Sequence, residues 1–261
     1  MSESILLSKI CDPTEDVLIE AGEIAKKLKK KISVSYKSKN QPVTNADIEI
    51  DNFLRSFFKQ KTPNFGWVSE ETADDYSRLK SDYFWCLDPI DGTRSYINGK
   101  PEYTISLALI HANRPILGYI YNPETKELFS ATENNGAYCN KKKIIVNEND
   151  NIVSSKYAIS SSEIKRLMKY NFFNRQNVIE MGSIAYKIAL VAKGEIDVAV
   201  SFTKKNDWDL AASDLILNEA GGNLKKINGD KILYNSEQMK IDSVIAANNK
   251  LTKELCKKFN E

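Results

Sequence analysis

Two aspartates three positions apart, Asp88 and Asp91, stand in the segment 88–93, whose sequence is DPIDGT. The apolar residues 83–87 before it predict a strand, and Pro89 turns the chain because proline lacks an N–H and fixes its own φ. Carboxylates delivered on a turn at the end of a strand can converge on a hard cation. In isolation, the same residues are equally well explained as a turn and a helix cap.

The residues after this pair predict an anion site beside it. Thr93 begins a short predicted helix, so the N–H groups from Gly92 onward have no partner within that helix. Such groups are suited to phosphate, and the backbone carbonyl of Ile90 offers a further oxygen to a cation. The segment therefore places cation ligands next to a candidate phosphate-binding site.

Three other segments place acids where a strand ends or a helix begins. Glu70 and Glu71 follow a short apolar strand, Asp209 lies at the start of a predicted helix, and Asp47 lies at the start of another. Asp and Glu favour helix starts in any case, so each segment alone is as well explained by capping. Their combination favours a metal site.

A single histidine, His111, among 261 residues excludes several other hydrolytic mechanisms. Zinc hydrolases typically use two or three histidines, and a Ser-His-Asp triad would have to use this one. His111 ends an apolar strand-like run, and the sequence contains no Gly-x-Ser-x-Gly segment. We therefore expect His111 to be a strand-end residue without a catalytic role.

The composition also limits the partners and the compartment. A formal net charge of +2 gives no general field for nucleic acid, and the lysines between residues 26 and 31 are interpreted as a solvated helix face. Four scattered cysteines without a CxxC predict neither zinc nor disulfides and favour a reducing cytoplasm. We expect no signal peptide in the first eleven residues and no membrane span, since no apolar stretch approaches about 20 residues.

The elements that must position the acids alternate between helical and strand periodicity. One helix is predicted to begin at Asp12-Pro13, and a second to run from residue 44 to before Pro63, burying Ile48, Leu54 and Phe58. Strands are predicted at 67–68, 83–87, 103–111, 116–121, 127–131, 196–202 and 241–246, and further helices at 183–193, 208–220 and 252–259. The pattern predicts a mixed α/β protein with helices on both sides of its sheets.

With these segments in view, the chain resembles the inositol monophosphatase family, whose superfamily includes 3'(2'),5'-bisphosphate nucleotidases and fructose-1,6-bisphosphatases. The resemblance covers nearly the whole chain and rests on the segments 70–71, 88–93, 182–185, 190–194, 208–209 and 219–222. It implies a layered α-β-α-β-α sandwich over residues 1–261, with two lobes of about 1–133 and 134–261 and the active site between them. It also implies a magnesium-dependent phosphatase, a homodimer and inhibition by lithium.

The resemblance further implies the metal ligands. Glu70, Asp88 and the carbonyl of Ile90 would hold one magnesium ion, and Asp88, Asp91 and Asp209 would hold a second. Two ions about 3.5–4 Å apart would suit the hydrolysis of a phosphate ester. A third ion would bind more weakly, giving two or three in all.

The other implied roles concern water and phosphate. Asp47 and Thr93 would orient and help deprotonate the attacking water, while Glu71 would act through water near the third ion. The phosphate would be bound by the amides of Gly92 and Thr93, together with Ser183.

The substrate depends mainly on Phe202, seven residues before Asp209. Inositol-specific members of the family carry a glutamate there, whereas a phenylalanine can pack against a flat base, as in bacterial bisphosphate nucleotidases of sulfur metabolism. Lys204 and Lys205 would then hold a second phosphate. Strand packing for Phe202 and a solvated loop for the lysines are the alternatives.

The favoured substrate is therefore a small phosphorylated metabolite, 3'-phosphoadenosine 5'-phosphate, which would be hydrolysed to AMP and phosphate. The alternatives are an inositol-1-phosphate or broad sugar-phosphate phosphatase, and a non-catalytic regulator that binds phosphorylated metabolites. The complete set of acids argues against the regulator, because a relative without activity usually loses at least one of them.

Overall fold

A computed structural model describes residues 3–261. Its first elements are a long helix, a hairpin and a second helix: α1 (Glu3–Lys29), β1 (Val34–Ser38), β2 (Gln41–Thr44) and α2 (Asn45–Lys61). Helix α2 begins with a capping box, in which Thr44 and Asp47 exchange hydrogen bonds with each other's backbone N–H. This cap fixes Asp47 at the first turn of the helix.

A seven-stranded sheet follows. Its strands, in spatial as well as chain order, are β3 (Gly66–Ser69), β4 (Tyr83–Asp91), β5 (Thr104–His111), β6 (Arg114–Asn122), β7 (Glu127–Thr132), β8 (Ala137–Cys139) and β9 (Lys142–Ile144). The first pair, β3 and β4, is parallel, and the other neighbours are antiparallel. The short helix α3 (Thr93–Ile97) follows β4. Because β4, β5 and β6 are buried along nearly their whole length, both faces of this sheet must be covered.

The second sheet has five strands in the order β11-β10-β12-β16-β14, which are β10 (Tyr157–Ile159), β11 (Val178–Glu180), β12 (Val198–Ser201), β14 (Gly222–Lys226) and β16 (Val244–Asn248). Two further strands, β13 (Lys205–Asn206) and β15 (Lys240–Ile241), pair with each other. The remaining helices are α4 (Ile164–Leu167), α5 (Ile184–Ala192), α6 (Asp207–Glu219) and α7 (Asn249–Asn260).

Three hydrophobic clusters join these elements into layers. One lies between α1, α2 and the first sheet, a second places α5 and α6 between the two sheets, and a third packs α4 and α7 on the outer face of the second sheet. The order of layers is therefore α-β-α-β-α, as the resemblance implied. Within residues 3–261, no helix has both the length and the apolar character needed to cross a bilayer.

Three local predictions were wrong. Helix α1 continues through Pro13 instead of beginning there, and the hydroxyl of Thr14 donates to the carbonyl of Ile10 (2.6 Å) in the turn around the proline. In α2, Ile48 is 43% exposed on the solvent side, and Ile50 is the buried isoleucine. Strand β4 continues past Pro89, because a bulge between residues 88 and 91 accommodates the proline before pairing resumes.

The contact between β6 and α6 requires a glycine. A Cβ at Gly118 would lie 2.8 Å from the carbonyl oxygen of Ala212 on α6, a backbone atom that cannot move without the helix. We expect Gly118→Ala to lower the free energy of unfolding by about 1–3 kcal/mol, the usual cost of overpacking, in urea denaturation. Gly229→Ala is the control, because a Cβ there meets nothing within 4 Å and costs only the strain of a positive φ. Equal urea midpoints for the Gly118→Ala variant and the wild type would contradict this account.

Asp214 on α6 makes the stability dependent on pH. Its carboxylate accepts a hydrogen bond from the hydroxyl of Tyr234 (2.8 Å), but burial raises its pKa to about 6 against the opposing effects of Tyr234 and Lys225. The carboxyl group binds its proton more tightly in the folded chain than in the unfolded chain, where its pKa is about 3.9. The stability that it contributes is therefore lost as the pH rises from about 4 through 6.

We expect Asp214→Asn, whose amide oxygen can still accept from Tyr234, to gain stability relative to the wild type as the pH is raised from 4.5 to 8. Urea denaturation at the two pH values measures this difference. Tyr234→Phe should show the opposite trend, since it leaves the ionised carboxylate without its donor. A stability difference that does not change with pH would show that Asp214 is solvated in the folded protein.

Candidate active site

The two aspartates of the segment 88–93 lie at the end of β4, at the edge of the first sheet. Asp88 is 1% exposed and Asp91 is 7% exposed. Asp88 pairs in register with Ser106 of β5, and one of its carboxylate oxygens accepts from the N–H of Ile90 (3.0 Å). Strand pairing and this local bond hold the carboxylate on a rigid support.

Glu70 and Asp209 meet Asp88 at this edge. Glu70 follows β3, which runs parallel to β4, so the carboxyl ends of both strands deliver their acids to the same place. Asp209 lies in the first turn of α6, where its Oδ2 accepts from the N–H of Asn206 (2.6 Å). One oxygen from each of these three acids lies within 4.8 Å of the other two. An all-oxygen set of this kind fits magnesium.

Asp91 is bound to the N-terminus of α5. Its Oδ2 accepts from the hydroxyl of Ser183 (2.5 Å) and from the N–H of Ala185 (2.6 Å), at the N-terminus of α5. The same serine hydroxyl accepts from the N–H of Tyr186 (2.9 Å) as the helix cap. Ser183 therefore positions Asp91 and α5, while its predicted contact with phosphate stays a prediction.

Burial and mutual repulsion raise the pKa values of the acids in this cluster. Burial raises the pKa of Asp88 well above its usual range, and the charges of Glu70, Asp91, Asp209 and Asp47 raise it further. Burial also raises the pKa of Asp209 to about 7, against the lowering effect of Lys205. The carboxylates can all be ionised together only when positive charge is added among them.

Asp47 and Thr93 form a hydrogen-bonded pair beside the cluster. The Thr93 hydroxyl lies 3.3 Å from Asp47 Oδ1 and 3.1 Å from the carbonyl oxygen of Ile90, and it can donate to either. Asp47 Oδ2 accepts from the N–H of Thr44 (2.8 Å) through the cap of α2. Since the hydroxyl proton is directed at these acceptors, the Thr93 oxygen can itself accept from a water molecule.

Gly92 occupies a position that no other residue fits. Its φ is +97°, and a Cβ would lie 2.8 Å from the carbonyl oxygen of Glu102 and 3.1 Å from the N of Ser183. The chain can therefore turn from β4 into α3 only with glycine here. The turn places Gly92 and Thr93 on the wall of a cleft.

This cleft has a volume of about 770 Å³. Its walls come from both halves of the chain: residues 40–42, 91–95, 160–162 and 181–184, with Glu70, Asn98, Lys100, Thr203, Lys205 and Asp209. Lys205 is thus within reach of a molecule bound in the cleft. Lys204 is exposed and is not part of the wall.

Phe202 does not line the cleft. It is 5% exposed and belongs to the hydrophobic cluster on the outer face of the second sheet, where its ring stacks on Tyr170 and meets Phe259 edge-on. The guanidinium of Arg166 lies 5.0 Å from the ring centre, and the carboxylate of Glu163 accepts from the N–H of Phe202 (2.6 Å). The side chain is therefore held in the core, as in the strand-packing alternative, and the prediction that Phe202 stacks on a substrate base was wrong.

Two lysines at the site were missed by the sequence analysis. Lys37, on the hairpin strand β1, donates to Glu70 (2.7 Å) and Glu71 (3.0 Å). Burial raises the pKa of Glu71 to about 7, although Lys37 lowers it. Nothing in the sequence separates Lys37 from its exposed neighbours, because its partners are more than thirty positions away.

The second missed residue is Lys187, which is 1% exposed. Its ammonium donates to the hydroxyl of Ser160 (2.8 Å) and the carbonyl of Met181 (3.3 Å), both on the cleft wall. Burial lowers its pKa to about 8, against the raising effect of Asp91. A lysine within the apolar helix 183–193 was the available signal for this site.

His111 lies at the opposite end of β4 and β5 from Asp91. Its Nδ1 is 2.9 Å from the carbonyl oxygen of Asp82, and its ring stacks on Tyr83. The histidine is thus part of the strand end, away from the acidic cluster, as expected.

Comparison with known proteins gives consistent matches. The model of the inositol monophosphatase family matches residues 7–261. Nus factor SuhB of Pasteurella multocida is 30% identical over 237 residues, covering 87% of this chain and 86% of that protein. The 3'(2'),5'-bisphosphate nucleotidase CysQ of Buchnera aphidicola is 30% identical over 240 residues, covering 88% and 87%.

Solved structures share the fold. The IMPase of Thermotoga maritima superposes with a TM-score of 0.84 at 26% identity, covering 97% of both chains. An IMPase/NADP phosphatase complexed with Mg²⁺ and phosphate superposes with a TM-score of 0.84 at 21% identity, covering 98% of this chain and 96% of that one. At that identity, the second match shows the fold alone.

We expect Asp88→Asn to abolish magnesium binding, measured by calorimetry on metal-stripped protein, because it removes the ligand at the centre of the acidic cluster. The metal-free variant should be at least as stable as the metal-free wild type, since a buried charge with like-charged neighbours is removed. Asp82→Asn, a change at an exposed acid, is the control and should bind magnesium as the wild type does. Unchanged binding in Asp88→Asn would exclude Asp88 from the metal site.

Proposed function

This chain belongs to the inositol monophosphatase family and is a phosphoric monoester hydrolase, and we propose that it cleaves small metabolites that carry a second anionic group besides the scissile phosphate. The favoured substrate is 3'-phosphoadenosine 5'-phosphate. The observation that carries the proposal is the acidic cluster of Glu70, Asp88 and Asp209 at a cleft whose wall also holds cationic side chains.

Magnesium is the cofactor of this reaction in the family, and the oxygen ligands described above suit it. When bound, it supplies positive charge to the phosphate and lowers the pKa of a water molecule. Glu70, Asp88 and the carbonyl of Ile90 would hold one ion, and Asp88, Asp91 and Asp209 would hold a second. We propose two or three ions in each active site.

The chain's own residues then act on the water and the phosphate. The oxygen of Thr93 can accept a hydrogen bond from the attacking water, and Asp47, 3.3 Å from that oxygen, can take up the proton. Burial raises the pKa of Asp47 above its usual value, which makes it a better base. The N–H groups of Gly92 and Thr93 would bind the phosphate oxygens.

Three cations on the cleft wall support a second anionic group on the substrate: Arg94, Lys100 and Lys205. Arg94 also donates to the carbonyl of Asn40 (2.5 Å), which ties the hairpin tip to α3. The nucleotidase CysQ of Buchnera aphidicola is among the relatives, at 30% identity. Because Phe202 is in the core, the proposal rests on charge at the cleft and not on base stacking.

An inositol or sugar phosphate is the second candidate. The cleft lining includes the hydroxyl side chains of Ser160, Ser161, Ser162 and Thr203, and hydroxyl groups of this kind suit a polyol. Among the described lining residues there is no aromatic side chain on which a base would stack. The inositol monophosphatase 3 of Solanum lycopersicum is 27% identical over 234 residues.

We expect purified enzyme with magnesium to release phosphate faster from 3'-phosphoadenosine 5'-phosphate than from inositol-1-phosphate, fructose-1,6-bisphosphate or NADP, and to release none without metal. Lys205→Ala should raise the KM for the adenosine bisphosphate about tenfold or more, the usual effect of losing one charge-assisted hydrogen bond. Lys204→Ala is the matched control and should change little. A preference for inositol-1-phosphate, or equal effects of the two variants, would favour the second candidate.

The resemblance also implies a homodimer and lithium inhibition, and its nucleotidase branch implies a role in sulfur metabolism. The scattered cysteines favour the cytoplasm. We propose all four for this protein. Sedimentation gives the oligomeric state, and the same phosphate assay with added lithium chloride tests the inhibition.

A further inference from the structure

Arg78 is a fully buried arginine outside the cluster of acids. It is 1% exposed and lies in a 3₁₀ turn, residues 77–79, between β3 and β4. Its Nε donates to Asp74 (2.8 Å), and its Nη1 donates to the side-chain oxygen of Asn235 (2.6 Å). Two weaker bonds of 3.3 Å reach the carbonyls of Ser236 and Glu237. The guanidinium thus joins its own turn to a loop more than 150 positions away.

On one side, the turn is packed against β3. A Cβ at Gly66 would lie 2.8 Å from the backbone of Arg78, so the two backbones are in direct contact. The hydroxyl of Ser77 accepts from the N–H of Trp67 (3.1 Å). Strand β3 ends at Ser69, immediately before Glu70, so the turn that carries Arg78 is fixed to the strand that delivers one acid.

On the other side, the loop is fixed to α6. The N–H of Asn235 donates to Asp207 Oδ2 (2.6 Å), and the N–H of Asp207 donates to the carbonyl of Met239 (3.2 Å). Asp207 is the first residue of α6, two positions before Asp209. The loop that Arg78 holds therefore fixes the start of the helix that delivers another acid.

The charges agree with this arrangement. Burial raises the pKa of Asp207 to about 6, and the N–H of Asn235 and the charge of Arg78 both lower it. Asp74 is the carboxylate that pairs with the buried guanidinium, at 2.8 Å. A lysine would keep the charge but not the planar fork, which reaches a carboxylate and three loop oxygens at once.

We propose that Arg78 is a positioning residue for the cation site. Arg78 holds the end of β3 that precedes Glu70 and the start of α6 that carries Asp209 at the separation where both acids meet Asp88. This inference rests on the magnesium dependence in the proposed function. Arg78 touches neither the substrate nor the ion, and it acts through Asn235 and Asp207.

The test is magnesium binding by Arg78→Lys, measured by calorimetry on metal-stripped protein, with the melting temperature measured alongside. We expect magnesium binding to weaken at least tenfold, and the lost turnover to be recovered at high magnesium concentration with the KM for substrate unchanged. A lower melting temperature with unchanged magnesium affinity would overturn the inference. Tyr157→Phe, which removes a buried hydrogen bond to the carbonyl of Ile152 (2.9 Å) in the second sheet, is the control for destabilisation alone.

A second pair of variants tests the route. Asp207→Ala breaks the same connection at its α6 end, so it should weaken magnesium binding as Arg78→Lys does. The double variant should bind magnesium with the same affinity as the single variant that binds it less tightly. Independent, multiplying effects would overturn the inference. If Arg78→Lys does not fold, Asn235→Ala keeps the buried charge and the backbone bond to Asp207, and should weaken binding a few-fold.

The wild type separates this inference from the function on which it rests. Absence of magnesium binding by the wild type would overturn both. Normal binding by the wild type together with normal binding by Arg78→Lys and Asn235→Ala would overturn the positioning role alone.

Discussion

Repulsion between carboxylates in a space with little water governs the design of this protein. Four aspartates at the site each use one oxygen to accept hydrogen bonds: Asp88 from Ile90, Asp91 from Ser183 and Ala185, Asp209 from Asn206, and Asp47 from Thr44. An oxygen of Asp88 and one of Asp209 nevertheless lie within 4.8 Å of each other and of Glu70. Charged groups held in this way are costly without a cation, so the scaffold must stop them from moving apart.

The layers of the fold provide that rigidity. The parallel pairing of β3 and β4 places Glu70 beside Asp88, and the bulge at Pro89 turns Asp91 toward α5. Helix α6 lies between the two sheets, where close contact between Gly118 and the backbone of Ala212 fixes its distance from the first sheet. The hydrophobic effect across three clusters thus stabilises an arrangement that electrostatics alone would disperse.

Much of this was predictable from local patterns. The capped helix α2, the strands β4 to β7 and the acids of the segment 88–93 all follow from signals within a dozen residues. Phe202 shows the limit of such reasoning, because a count of seven positions before Asp209 does not say on which face of a strand a side chain lies. Arg78 and Lys37 show another, since their partners are distant in sequence and only the tertiary fold brings them together.

The distance between the acids along the chain has a consequence for folding during synthesis. Glu70, Asp88 and Asp91 leave the ribosome well before Asp209 and α6 exist. Until the second half docks, the first acids have no layer to bury them, and water can solvate their charges. Magnesium that binds only the completed site stabilises the finished chain over every partly made one. The ion would thus act at the last step of folding, when the final carboxylate arrives.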